Sequence, residues 1–146
     1  MAGSGVILVL DSNPDDYGIY ANDQIPDAWQ VTFFGTNNPM GAACATNCTG
    51  QNNLYTYIAD LNPNDPASVF EVVAVSESNL PPREVVYFPS SSNRVYALLW
   101  TTNLVSGTWT NLPDAIPVKG NGGVFSLSDT NAVAPRFYRV QVQVPQ

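Results

Sequence analysis

From Ser68 onward the chain is cut into six short β-prone segments by turn residues, and no other feature limits its fold as tightly. The segments are Val69 to Val75, Arg83 to Phe88, Arg94 to Trp100, Gly107 to Leu112, Gly123 to Leu127 and Arg136 to Val144. They are divided by Asn79-Leu80-Pro81-Pro82, Ser90-Ser91-Ser92-Asn93, Asn103-Leu104-Val105-Ser106-Gly107 and Gly120-Asn121-Gly122-Gly123. Short strands spaced this way build a sandwich or a barrel. The last segment alternates, with Tyr138, Val140, Val142 and Val144 on one face and Arg139, Gln141 and Gln143 on the other, so it is predicted to be half-buried. Val95 to Trp100 is apolar on both faces and is predicted to lie at the centre of the sheet system.

Residues 23–62 read differently. Pro26 at the start, Asp27 in the first turn and Gly35 past the end are helix punctuation, and Ile25, Trp29 and Phe33 recur at helical spacing. A second short helix is predicted from Gln51 to Asp60, with Leu54, Tyr57, Ile58 and Leu61 on one stripe and Asn62-Pro63 stopping it. Ahead of both, Val6-Ile7-Leu8-Val9-Leu10 reads as a strand with two buried faces, set apart by the turn-rich Asp11 to Gly18. The expected fold is mainly β: a small β-sandwich or barrel with a short two-helix insert and a detached N-terminal strand. Its parts are residues 1–18 (strand and linker), 19–67 (helices and loops) and 68–146 (β module).

Composition excludes several functions. The 146 residues carry 5 Lys plus Arg against 12 Asp plus Glu, a net charge of -7, which repels a phosphate backbone, so no nucleic-acid partner is expected. There is no histidine, and with it go the commonest general base and the commonest neutral-pH metal ligand. The carboxylates Glu71, Glu77, Glu84, Asp114 and Asp129 are not brought together by any spacing, and Lys119 precedes turn residues rather than a phosphate cradle. No enzymatic activity is expected. The longest apolar run, Val6 to Leu10, is too short for a membrane span or a signal-peptide core.

Cys44 and Cys48 are the only cysteines, and with no histidine to complete a zinc site a disulfide is their expected use, which implies an oxidising, extracellular setting. Asn47-Cys48-Thr49 is an Asn-x-Thr sequon, so Asn47 is a candidate for a covalent glycan; Ser90 to Ser92 form a polar tip where an O-linked sugar would sit. Tyr87, Tyr96, Trp100, Trp109 and Tyr138 are the aromatics available to a sugar-binding face.

Two segments carry a family resemblance. Asn22-Asp23-Gln24-Ile25-Pro26-Asp27-Ala28-Trp29-Gln30, and Asn53-Leu54-Tyr55-Thr56-Tyr57-Ile58-Ala59-Asp60 with Asn62-Pro63-Asn64-Asp65-Pro66, resemble the thrombospondin type 3-like calcium loops of secreted and surface proteins of environmental bacteria of the Verrucomicrobia and Planctomycetes type. Asn93-Arg94-Val95-Tyr96, Thr102-Asn103-Leu104, Gly107-Thr108-Trp109-Thr110-Asn111-Leu112 and Phe137-Tyr138-Arg139-Val140 resemble the β module that follows those loops. The resemblance implies calcium, with Asp15, Asp16, Asp23 and Asp27 as the ligand candidates. The second loop departs from the pattern: Asn47, Thr49 and Thr56 stand where acids are expected, which removes the charge a calcium site needs. Helix capping is the other reading of those acids, and no cofactor is expected.

The isolated apolar strand points to self-assembly. Exposed, it would seek a sheet edge, and insertion of Val6, Ile7, Leu8, Val9 and Leu10 into a neighbouring copy satisfies it through main-chain hydrogen bonds. Donor and acceptor surfaces differ, so the contact propagates as a helical filament unless it closes a ring. The expected function is a structural subunit of an extracellular or cell-surface bacterial filament, its partner being itself. The alternative is a non-catalytic calcium- or carbohydrate-binding module whose first strand folds back on its own chain.

Overall fold

The computed structural model describes residues 5–9, 24–35, 49–79, 82–105, 107–112, 116–132 and 135–145. The chain is mainly β, with two antiparallel-built sheets and two short helices, as a small sandwich requires. It divides into two units: residues 1–7 with 70–142, and residues 8–69 with 143–146.

The first unit holds the sheets. In the larger one the order is β1 (Gly5–Val9), β8 (Phe137–Gln143), β4 (Val95–Thr101), β5 (Thr110–Asn111), and β6 (Val118–Lys119) shares the far side of β4 with β5. The smaller sheet runs β2 (Ala74–Asn79), β3 (Pro82–Pro89), β7 (Val124–Asp129). β4 is central, as its two apolar faces predict: Tyr96 through Leu99 are all buried. β8 buries alternate residues, Tyr138, Val140 and Val142, as its period predicts.

Between the sheets the core is aromatic. Phe88 of β3 lies 5.1 Å from Tyr96, 6.0 Å from Phe70 and 5.9 Å from Phe125, ring centre to ring centre. Burying rings and aliphatic chains of this size stabilises a fold by about 1.5–3 kcal/mol each. One corner of the core is pinned by backbone: Gly120 donates its N–H to the Arg94 carbonyl at 3.0 Å, and the Tyr96 hydroxyl accepts the Ser91 N–H at 2.7 Å. A Cβ on Gly120 would sit 2.3 Å from the Ser91 carbonyl oxygen and 2.8 Å from the Tyr96 ring. Gly120→Ala is therefore expected to destabilise the first unit by about 1–3 kcal/mol in urea unfolding, whereas Gly122→Ala, with open space around its Cβ, meets only the strain of its φ of 82°.

The second unit contains α1 (Asp27–Phe34) and α2 (Asn53–Ile58). α1 ends at Gly35, whose left-handed φ of 72° lets its N–H reach the Val31 carbonyl. The predicted stripe is modified: Ile25 and Gln30 are the buried residues, while Trp29 and Phe33 are half-buried and stack at 5.0 Å. Trp29 also meets Tyr57 of α2 at 5.8 Å, so the two helices do pack as a pair. α2 is shorter than Gln51 to Asp60 because both ends are capped inside that span. The Asn52 side chain accepts the Tyr55 N–H at 2.7 Å. Asp60 turns left-handed, φ 56°, and bonds from Asp60 and Leu61 back to Tyr57 and Thr56 close the helix. Its inner face is Asn53, Thr56 and Ile58, with Leu54 and Tyr57 half-buried.

The apolar N-terminal run is a strand as expected, and among the described residues β1 ends the larger sheet's strand order beside β8. Other expectations are corrected. The segment from Val69 is not a strand until Ala74; the Val73 N–H bonds the Tyr87 carbonyl, out of step with the Ala74–Tyr87 pairing, and the ladder stops there. Gly107 to Leu112 is a strand only at Thr110–Asn111, with one further bond from the Leu112 N–H to the Leu98 carbonyl, since Gly107 N–H and the Thr101 hydroxyl both bind the Asn103 carbonyl and hold the start of that stretch as a turn. β6 was not foreseen.

Candidate functional site

The chemistry-bearing cluster of the first unit is built by β4, β7 and β8. Parity on β8 puts Arg136, just before the strand, on the same side as Tyr138, facing the smaller sheet. The Tyr138 hydroxyl donates to Asp129 Oδ2 at 2.9 Å, and Arg136 Nη1 pairs with the same oxygen. The other carboxylate oxygen accepts the Asn131 N–H at 2.9 Å. Burial, and then the Asp129 carboxylate that needs its proton, push the Tyr138 hydroxyl well above its ordinary range. The Arg136 guanidinium lies 4.0 Å over the Trp100 ring. On the other face of β8, Arg139 stacks in the same way over Trp109, and burial lowers its pKa.

Trp100, Asp129, Asn131 and Arg136 border a cleft of about 570 Å³. Its apolar lining includes Leu98, Leu112, Ile116, Val118 and Leu127; Ser126, Ser128 and Asp129 complete the β7 side. Two buried donors there, Trp100 Nε1 and Arg136 Nε, have no acceptor.

The register also gathers acids that the sequence left apart. Glu77, Glu84 and Asp129 are direct partners across β2, β3 and β7. Burial, then Glu77 and Asp129, raise the Glu84 carboxyl above its ordinary value. A carboxyl with a raised folded-state pKa favours folding in its protonated form, so stability is greatest below its unfolded value and falls as pH rises toward the folded one. Glu84→Gln is expected to raise the melting temperature at pH 7 by about 1–4 °C, from like-charge relief of about 0.2–1 kcal/mol, with the gain vanishing in scans below pH about 4.

Of the calcium candidates, Asp27 lies in the first turn of α1. Asp15, Asp16 and Asp23 fall outside the described residues, as do Cys44, Cys48, Asn47, Leu10 and Asp114. Among the described residues no group of three acids, cysteines or histidines could hold a metal. In the second loop, Thr49 and Thr56 bond to each other through their hydroxyls at 3.2 Å, and Thr56 also donates to the Asn52 carbonyl. Two of the three positions where the resemblance implies acids thus carry neutral hydroxyls bonded to each other.

The aromatics do not form one platform. Tyr96 and Tyr138 are core residues, and Trp100 and Trp109 each have a ring face covered by a guanidinium. Of the serine tip, Ser90 is committed to Gly123 and Asn121 through its hydroxyl. Among the described residues no helix is long and apolar enough to cross a membrane. No family model, curated protein or solved structure matches the chain. The signal that would have found the Asp129 cluster was the two-residue spacing of Arg136 and Tyr138, which puts a charge on the buried face of β8.

Proposed function

We propose that this chain is a non-catalytic structural subunit of an extracellular bacterial filament, joined to its neighbour by the N-terminal strand, residues 6–10, and itself the only protein partner required. The observation behind this reading is the place of β1. It forms the rim of the larger sheet beside β8, yet the helical unit separates it in sequence from every other strand. A β1–β8 ladder is made of main-chain hydrogen bonds, which are the same whichever copy supplies the strand. Residues 10–23 reach at most about 50 Å when extended, enough to place the strand on an adjacent copy. The glycan at Asn47 and the Cys44–Cys48 disulfide belong to the same extracellular reading.

Deleting residues 1–10 is expected to abolish fibres in negatively stained micrographs while leaving a folded species of lower mass than the 15.7 kDa chain. A peptide of residues 1–12 added to the truncated chain should restore its melting temperature. Fibres that persist after the deletion, or an intact chain that light scattering finds only as a monomer, would overturn the proposal.

A further inference from the structure

We propose that Asn121 is a self-modifying site, at which the folded chain converts its own asparagine to isoaspartate with release of ammonia. Asn121 is the only asparagine in the chain followed by glycine. It stands exposed in the turn between β6 and β7, within the first unit.

The groups the reaction needs are gathered in that turn. The nucleophile is the Gly122 nitrogen, whose N–H makes no hydrogen bond among the described residues. Gly122 has no side chain to shield it, and even a Cβ there would meet open space. The electrophile is the Asn121 side-chain carbon, Cγ. The Gly123 N–H donates to Asn121 Oδ1 at 2.9 Å, which fixes the oxygen end of the amide. The Ser90 hydroxyl lies 3.0 Å from the same oxygen. Its proton can go to Oδ1, because its other acceptor, the Gly123 carbonyl, already holds the Ser90 N–H at 2.8 Å. Attack on Cγ puts negative charge on Oδ1, and donors already aimed at an oxygen that gains charge lower the barrier. The leaving nitrogen, Asn121 Nδ2, makes no hydrogen bond among the described residues that would hold it back.

The Gly122 nitrogen gives its proton to solvent hydroxide and bonds to Cγ. The bond from Cγ to Nδ2 breaks, and Nδ2 takes a proton from water and departs as ammonia. Water then opens the cyclic imide that remains. Opening at Cγ yields aspartate; opening at the Asn121 main-chain carbonyl yields isoaspartate, whose backbone runs through the former side chain and is longer by a methylene. That longer backbone falls at the corner where the Asn121 N–H reaches Ser90 Oγ at 3.1 Å and the Gly120 N–H reaches the Arg94 carbonyl at 3.0 Å. Gly120 has no room to move there, since a Cβ on it would already overlap Ser91 and Tyr96. Conversion is therefore a one-way timer that loosens the first unit and adds a negative charge.

The test is incubation of the intact protein in neutral buffer, with peptide mass spectrometry and an isoaspartyl methyltransferase as readouts. Isoaspartate is expected at residue 121 before any other asparagine changes, at a rate no lower than in the same chain held unfolded in urea. The rate should climb as the buffer is made more alkaline, because the Gly122 nitrogen must lose its proton. Asn121→Gln, which has to close a larger ring, is expected to slow conversion at least roughly tenfold. Ser90→Ala removes a donor to Oδ1 and is expected to slow it about two- to tenfold. Converted protein, separated by ion exchange, should melt about 3–8 °C below the unconverted chain. Conversion confined to the urea-unfolded chain, or beginning at another asparagine, overturns the proposal. So does an unchanged or faster rate in Ser90→Ala, which would mean that the donors only restrain the turn. An unchanged melting temperature in the converted protein would overturn the timer.

Discussion

Replacing Asp129 with alanine is expected to lower the unfolding free energy by about 3–5 kcal/mol, because it leaves the Arg136 charge buried with no counter-ion. The Tyr138 hydroxyl loses its acceptor and the Asn131 N–H loses its anchor in the same step. Denaturant titration followed by near-ultraviolet circular dichroism measures the effect, since Trp100 and Tyr138 report on the same place. Asp129→Asn should cost less, as its amide oxygen still accepts from Arg136. A double variant, Asp129→Leu with Arg136→Met, should recover most of the loss, because removing both charges also removes the desolvation that made the single change costly. A loss below 1 kcal/mol for Asp129→Ala would mean that the pair is open to solvent.

Phe88→Ala is expected to cost about 3–5 kcal/mol by removing the ring that Phe70, Tyr96 and Phe125 pack around. Phe88 is fully buried. Phe88→Leu keeps most of the volume and should lose much less. Equal losses for the two variants in urea unfolding would show that the core collapses around the site.

The fold was readable where one physical cause dominated. The alternation in β8 and the two-sided apolar run of β4 fixed their burial, because side-chain period is a strand property that no neighbour changes. The apolar run of β1 announced a strand but not its place. Which edge or centre a strand occupies depends on partners far along the chain, here residues 137–143. Val69 to Val73 had β propensity and still lost its ladder to a single out-of-step bond at Val73. The helix ends were set by local caps: Gly35 was visible, whereas the left-handed turn at Asp60 was not. The polar cluster was hidden for another reason. The spacing of Arg136 and Tyr138 shows a charge on the buried face of β8, but their partners Asp129 and Trp100 arrive only through sheet packing, and Glu77, Glu84 and Asp129 meet only through register, and neither packing nor register leaves a spacing that a motif search can find.

The two guanidinium–indole stacks bear on how readily the chain is digested. Proteases that cut after arginine or lysine need the side chain free and the backbone extended into their cleft. Of the five such residues, Arg136 and Arg139 are laid flat on Trp100 and Trp109, and Arg94 is buried. That leaves Arg83 and Lys119 in the open, both inside paired strands. The same side chains that hold the sheets together thus withhold three of the five cleavage points from a trypsin-type enzyme while the sandwich is closed.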